Sequence, residues 1–154
     1  MHNFLALTDS DRAAAIQETA ARMQLHPTPV EKDVWVCFRL RELCACDCVR
    51  YQLSFKGGTS LSKAYVIIGR FSEDIDLSVH ASAFDITIEP DLAALTKSQR
   101  DNRIKALYRA ARTFIQDTLI AELKQRLTIN LKDADWQLKL NDVKKDFHIL
   151  HFSY

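Results

Sequence analysis

Apolar residues follow two spacings along the chain, one typical of helices and one typical of strands. Four segments have the pattern of helices: residues 8–24, 28–43, 59–68 and 96–127. Five shorter segments have the pattern of strands: residues 49–55, 73–79, 85–89, 136–140 and 147–154. This mixture predicts an α/β fold, in which helices flank a small mixed sheet that carries residues 49–55 and 73–79.

Residues with capping chemistry indicate where several helices begin or end. The first helix should open in the region of Asp9 and Ser10. Thr28 and Pro29 should open the second helix as its N-cap and first residue. Gly69 should end the third helix in the left-handed conformation.

All three glycines of the chain lie between residues 57 and 69. Gly57 and Gly58 separate a predicted strand from a predicted helix, where a special backbone conformation or a close approach would exclude a side chain. The N–H groups of a helix's first turn can bind a phosphate, and Thr59 and Ser60 would add hydroxyl donors. Taken alone, the glycine pair is more typical of a tight strand–helix turn.

Two aspartates strengthen the phosphate interpretation. Asp74 and Asp76 lie two residues apart on a predicted strand, so both carboxylates would project from one face while Ile75 and Leu77 pack inward. The two negative charges repel each other, and a hard cation such as Mg²⁺ between them would relieve this repulsion. An isolated Asp-x-Asp is usually a solvated strand edge, but one that follows a strand–Gly-Gly–helix unit indicates nucleotide chemistry. His80 is more readily explained as a surface residue at the strand end.

Residues 55–77, FKGGTSLSKAYVIIGRFSEDIDL, resemble the AbiEii/AbiGii toxin family, a branch of the DNA polymerase beta-like nucleotidyltransferase superfamily. The superfamily signature is Gly-Gly or Gly-Ser followed, after a helix, by Asp-x-Asp or Asp-x-Glu. The residues that fit the family's version are Lys56, Gly57, Gly58, Thr59, Ser60, Lys63, Arg70, Phe71, Ser72, Glu73, Asp74 and Asp76. Upstream, residues 30–43 resemble the family's N-terminal helix.

The resemblance implies a Mg²⁺-dependent nucleotidyltransferase toxin of a type IV toxin–antitoxin or abortive-infection system. Such toxins transfer a nucleotide from an NTP to RNA, notably to the acceptor ends of tRNAs, and have a cognate antitoxin as partner. Asp74 and Asp76 would be catalytic and would bind the metal. The nucleotide would be held by Gly57, Gly58, Thr59, Ser60, Lys63 and Arg70.

The third carboxylate of the superfamily is not evident in the sequence. Glu89, Asp142 and Asp146 are candidates, and each is more readily explained as a solvated charge. We therefore expect a single nucleotidyltransferase-like domain over residues 1–154 that is the N-terminal portion of the family domain, truncated at its C-terminus. The alternative to an active enzyme is a catalytically incomplete remnant that binds a nucleotide or the antitoxin.

Charge and composition restrict the possible partners only weakly. The net charge is +1, from 21 Lys and Arg against 20 Asp and Glu, so global charge does not indicate nucleic acid. The predicted helix 96–127 has a locally basic face that would contact triphosphate or RNA backbone, or would be merely solvated.

The remaining features predict an ordinary cytoplasmic protein. Cys44, Cys46 and Cys48 alternate without a second ligand pair, so reduced structural cysteines are favoured over a zinc site. No apolar run approaches the roughly 20 residues of a membrane span, and no signal peptide is evident. Trp35 and Trp136 are predicted core residues.

Overall fold

A computed structural model describes residues 2–49, 53–69, 71–84, 95–131, 135–144 and 147–153. The chain forms two compact units, each assembled from two stretches. One unit comprises Met1–Cys44 and Phe55–Ser78, and the other comprises Ala45–Ser54 and Val79–Tyr154. Helices and small sheets occur together, so the predicted α/β class is confirmed. The single domain over residues 1–154 stays a prediction.

Three helices precede the glycine pair: α1 (His2–Leu5), α2 (Asp9–Met23) and α3 (Pro27–Cys44). The Thr8 side chain caps α2, because its hydroxyl oxygen accepts the Asp11 N–H at 3.2 Å. The predicted Thr28 cap of α3 is wrong, since the helix already begins at Pro27. His26 lies before α3, and its Nδ1 accepts the Thr28 N–H at 3.3 Å.

The apolar core of the first unit is formed mainly by α2 and α3. Its buried apolar residues include Ala20, Val30, Val36, Phe38 and Leu43. Four of these five residues lie on α3, so this helix supplies most of that core. Trp35 is only half-buried and meets the edge of Phe38 at a ring-centroid distance of 5.7 Å.

The glycine pair forms the first two residues of α4 (Gly57–Lys63), directly after β1 (Leu53–Lys56), and β2 (Asp76–Val79) pairs with β1. The predicted bounds differ in several places, and α4 begins at Gly57 instead of residue 59. Val49 belongs to a 3-10 helix (Asp47–Val49) and not to the strand. The helix ends at Lys63 instead of residue 68, and β2 begins at Asp76 instead of residue 73.

The predicted Gly69 cap is wrong because α4 ends six residues before it. The left-handed residue after the helix is Val66, with φ 54°. The Ile67 N–H donates to the Leu61 carbonyl at 2.9 Å and closes this turn. Tyr65, Val66 and Ile67 are all exposed.

The second unit contains an uninterrupted helical stretch made of α5 (Lys97–Thr113), a π-helical segment (Phe114–Leu119) and α6 (Ile120–Leu131). The predicted helix 96–127 is confirmed and extends four residues further. A capping box opens it: the Thr96 hydroxyl oxygen accepts the Gln99 N–H at 3.3 Å, and Gln99 Oε1 accepts the Thr96 N–H at 2.9 Å.

An antiparallel hairpin of β3 (Gln137–Lys144) and β4 (Phe147–Ser153) follows, with Gln137 opposite Ser153. The two C-terminal strands are thereby confirmed, whereas the strand predicted over 85–89 lies outside the described residues. Trp136 is half-buried. Buried apolar residues of this unit are Cys46, Leu119, Leu123, Leu127, Leu131 and Leu138. Among the helices that the structure describes, none is long and apolar enough to cross a membrane.

Candidate functional site

The strand–helix turn at the glycine pair is built around an unusual backbone conformation. Gly57 has φ +70°, in the left-handed region that favours glycine. Lys56, directly before it, is extended with φ −126° and ψ −172°. The Lys56 side chain makes no capping hydrogen bond to the first turn of α4, every residue of which is described. The first N–H groups of a helix lack partners within the helix, so this turn offers donors to an anion.

Gly57 also lies directly against the carboxylate of Asp76. A Cβ at residue 57 would lie 2.9 Å from Cγ of Asp76 and closer still to one carboxylate oxygen. Glycine is therefore favoured at this position for two reasons: the left-handed backbone conformation and the space that the Asp76 side chain occupies. The glycine turn and the Asp-x-Asp segment, predicted separately from the sequence, are in contact.

Thr59 holds the backbone of the other aspartate, Asp74, in place. Its hydroxyl, on a fully buried side chain, donates to the backbone carbonyl of Asp74. Asp74 precedes β2, so the strand argument for a shared face does not apply to it, and the bond from Thr59 positions its backbone instead. The side chains of Asp74 and Asp76 are both exposed.

The hydroxyls of Thr59 and Ser60 take part in the fold itself. Ser60 is buried, and its Oγ donates to the Gly57 carbonyl at 2.9 Å. Because both hydroxyl hydrogens are directed to backbone carbonyls, the backbone N–H groups of the turn are the better phosphate donors. The predicted hydroxyl contacts to phosphate stay predictions.

Lys63 lies in the last turn of α4 and is held by α3. Its Nζ is 2.5 Å from Asp33 Oδ2 and 6.0 Å from the ring centroid of Phe71. Asp33 is mostly buried, and its Oδ1 has no hydrogen-bond partner among the described residues. Burial raises the pKa of the neighbouring Cys37 thiol, although the Lys63 ammonium acts in the opposite direction. Arg70 lies outside the described residues.

A second, exposed ion pair joins α3 to the segment before the aspartates. Lys32 Nζ is 2.8 Å from Glu73 Oε1, and both side chains are largely exposed. Asp33 was not anticipated from the sequence, because nothing in the spacing of residues 33 and 63 indicates that they meet. Two consecutive residues of α3 thus contact the motif segment, one through a partly buried pair and one through an exposed pair.

The cysteines are all free, in agreement with the prediction of reduced structural residues. In the second unit, Glu122 accepts the Asp47 N–H at 2.6 Å and the Cys48 N–H at 3.2 Å. Burial, together with the hydrogen bond to Glu122, raises the pKa of the Cys48 thiol to about 12. The Cys48 thiol and the two N–H groups lower the pKa of Glu122. This cluster is a polar link within the fold and leaves Cys48 protonated at neutral pH.

The third carboxylate is not identified. Glu89 and Asp146 lie outside the described residues, and the backbone of Asp142 lies in β3, opposite His148 in the register of the hairpin. His80 is exposed, with its Nε2 2.5 Å from the Ser54 hydroxyl. The described residues contain no group of three or more His, Cys, Asp or Glu side chains arranged to hold a metal ion.

The donor chemistry of the aspartate pair nevertheless fits Mg²⁺. This ion commonly binds through one or two protein carboxylates, and substrate phosphates and water complete its coordination. Asp74 and Asp76 supply two exposed carboxylates beside a turn that a Cβ would obstruct. These residues would hold the ion together with the phosphates of a bound nucleotide.

Comparison with known proteins gives one match. The sequence model of a family described as "Nucleotidyl transferase AbiEii toxin, Type IV TA system" matches residues 43–154, which is well over half of the chain. No curated protein and no solved structure matches it. The matched range includes the glycine turn and both aspartates, whereas almost all of α3 precedes it. The chain belongs to the AbiEii nucleotidyl transferase toxin family of type IV toxin–antitoxin systems.

Proposed function

We propose that this chain transfers a nucleotide from an NTP to an RNA acceptor, with tRNA as the expected acceptor class, in the presence of Mg²⁺. The observation that carries the proposal is the contact between Gly57 and Asp76. It brings the first turn of α4, whose backbone N–H groups we propose as phosphate donors, against a carboxylate suited to a hard cation. Phosphate and metal have to lie side by side in a nucleotidyl transferase, and this contact provides such a place.

Each part of the site has a distinct task in this reaction. The backbone N–H groups of the turn at Gly57 and Gly58 hold the triphosphate. Asp74 and Asp76 hold Mg²⁺, which when bound offsets phosphate charge and lowers the pKa of a coordinated hydroxyl. An RNA hydroxyl oxygen attacks the α-phosphorus of the NTP, the bond to the β-phosphate oxygen breaks, and pyrophosphate leaves. The hydroxyl proton passes to a neighbouring carboxylate or to water.

Family membership also implies a cognate antitoxin. We propose that this partner restrains the transfer reaction, as expected for a toxin.

A second function is favoured by one observation. The aspartate pair has no third His, Cys, Asp or Glu neighbour in the described part of the chain that would complete a metal group. A chain with an incomplete site would bind the NTP or the antitoxin and transfer nothing. Turnover by the 154-residue chain would exclude this alternative.

The test uses the whole chain with labelled NTPs, tRNA and Mg²⁺. A bound metal ion lowers the activation barrier by several kcal/mol. Asp74→Ala or Asp76→Ala should therefore lower the rate of RNA labelling by about a hundredfold or more. Asp135→Ala removes an exposed carboxylate elsewhere in the chain and should leave the rate unchanged. If both site variants labelled RNA as fast as the parent, the assignment of these carboxylates would be wrong.

A further inference from the structure

Positive charge is concentrated in helix α5, whereas the chain as a whole is nearly neutral. Its seventeen residues carry one acidic residue, Asp101, against six basic ones. The helix therefore has a net charge of +5, in a chain whose total is +1. The basic residues are Lys97, Arg100, Arg103, Lys105, Arg109 and Arg112.

Three of these charges form one stripe, which we call the α5 stripe: Lys105, Arg109 and Arg112. Spacings of four and three residues bring side chains onto one helical face. At a rise of 1.5 Å per residue the stripe extends for about 10 Å along the axis. All three side chains are exposed, and no residue of α5 is buried. Tyr108, beside the stripe, has 40% of its surface exposed.

Helix stability does not account for this arrangement. Lys97 and Arg100 occupy the first turn, which contains no acidic residue, and positive charge there opposes the helix dipole. Lys105 and Arg109 are neighbours four residues apart, where like charges repel. Asp101 lies four residues from Lys97 and from Lys105 and offsets part of this repulsion, and the remaining positive charge of the helix favours an anionic partner.

We infer that the α5 stripe is a docking surface for the phosphate backbone of RNA. A free nucleotide is too short to engage three cations spread along two turns, whereas a nucleic-acid strand presents phosphates in series. Tyr108 offers a face for an unpaired base beside the cations, a combination typical of single-stranded nucleic-acid binding. The choice of RNA rests on the proposed function, in which RNA is the acceptor.

The central experiment measures RNA affinity as a function of salt. The whole chain is titrated with a labelled tRNA, and with single-stranded RNA and duplex DNA of matched length, at several salt concentrations. Each lost phosphate contact should reduce the slope of log affinity against log salt by about one. The double variant Lys105→Gln/Arg109→Gln should therefore bind RNA more weakly and with a slope smaller by about two.

A matched control separates local from global charge. Arg22→Gln/Lys139→Gln removes the same net charge from exposed positions on α2 and β3. It should retain the parent's slope. Equal effects of the two double variants would overturn the docking surface in favour of a general charge effect, and unchanged RNA binding by the α5 variant would overturn it outright. Equal α5-dependent binding of duplex DNA would overturn the assignment to RNA.

The outcomes also separate this inference from the proposed function. If Asp74→Ala lost RNA labelling while the α5 variant kept the RNA affinity of the parent, the transferase function would be supported and the docking surface would be refuted. If RNA binding depended on Lys105 and Arg109 but no nucleotide were transferred, the docking surface would be supported and the transferase function would be refuted. Circular dichroism of each variant verifies that α5 remains helical, as expected when repelling charges are neutralised.

Discussion

Residue 57 is a glycine, and the candidate site depends on the absence of a Cβ atom at this position. Gly57 combines φ +70° with the Asp76 carboxylate at the position where a Cβ would project. Either condition alone would favour glycine, and any other residue would have to strain the backbone and displace the Asp76 side chain. Gly69 is the natural comparison, because nothing lies within 4 Å of the position of its Cβ and its φ is not positive.

The substitutions Gly57→Ala and Gly69→Ala should therefore differ sharply. A left-handed alanine costs about 1 to 2 kcal/mol, and Asp76 must also move away from the turn. We expect Gly57→Ala to lower the melting temperature by several degrees and to remove most NTP binding and RNA labelling. Gly69→Ala should match the parent in all three measurements. Full activity of Gly57→Ala would show that the contact with Asp76 is dispensable.

The motif predicted site residues from their chemistry, but it did not predict the groups that surround them. The identities of Gly57, Asp74 and Asp76 followed from a motif in which each residue type has a physical reason. The roles of Thr59 and Ser60 were less accessible. A hydroxyl in a sequence is equally suited to a ligand or to a backbone carbonyl, and only the fold shows that both hydroxyls meet carbonyls.

At the level of elements, α3 is connected to the glycine-turn helix through Lys63 and Asp33. Their side chains are less than one-third exposed, and the Lys63 ammonium donates a charge-assisted hydrogen bond to the Asp33 carboxylate. The family match begins at residue 43, so Asp33 lies outside it. A short helix of seven residues gains its direction from such tertiary contacts and not from its own stability.

Removing this pair should destabilise the protein more than removing its exposed neighbour. Asp33→Asn should cost about 1 to 3 kcal/mol, between the values for exposed and buried pairs. Urea unfolding of Asp33→Asn, Lys63→Gln and the double variant gives the coupling energy. The corresponding cycle with Lys32→Gln and Glu73→Gln should give at most about 1 kcal/mol, because that pair is largely exposed. Equal coupling in the two cycles would contradict an anchoring role for Asp33.

Capping residues named from the sequence did not locate the helix ends: Thr8 caps α2, α3 begins before Thr28, and α4 ends before Gly69. The predicted start at residue 96 agrees with the structure, in which Thr96 and Gln99 form a capping box. The strand ends were not predictable in this way, because strand pairing depends on residues distant along the chain. Asp74 alternates correctly for a strand, yet β2 begins only at Asp76. The pairing partner, and not the alternation, sets that boundary.

At the scale of the whole molecule, function follows from where the charged and phosphate-binding groups lie, although the chain as a whole is nearly neutral. The first unit contains the glycine turn and the aspartates, and the second contains the basic α5. Composition alone does not reveal that these features belong to different units, because the positive and negative charges of the whole chain sum to +1. The family match establishes the nucleotidyl transferase family, and the local geometry supplies the residues that a test should address.

Nucleotide binding by the folded chain can be separated from catalysis by thermal stability. A ligand present at a hundred times its Kd stabilises the native state by about 2.7 kcal/mol, which corresponds to about 5 to 10 °C for a chain of this size. We expect the full shift only when NTP and Mg²⁺ are both present, because the two exposed aspartates and the triphosphate share the ion. Differential scanning fluorimetry should show the shift lost in Asp76→Ala and kept in Lys105→Gln/Arg109→Gln. A shift that persisted in Asp76→Ala would place the nucleotide elsewhere. A full shift without RNA labelling would identify the chain as a nucleotide-binding protein that does not catalyse transfer.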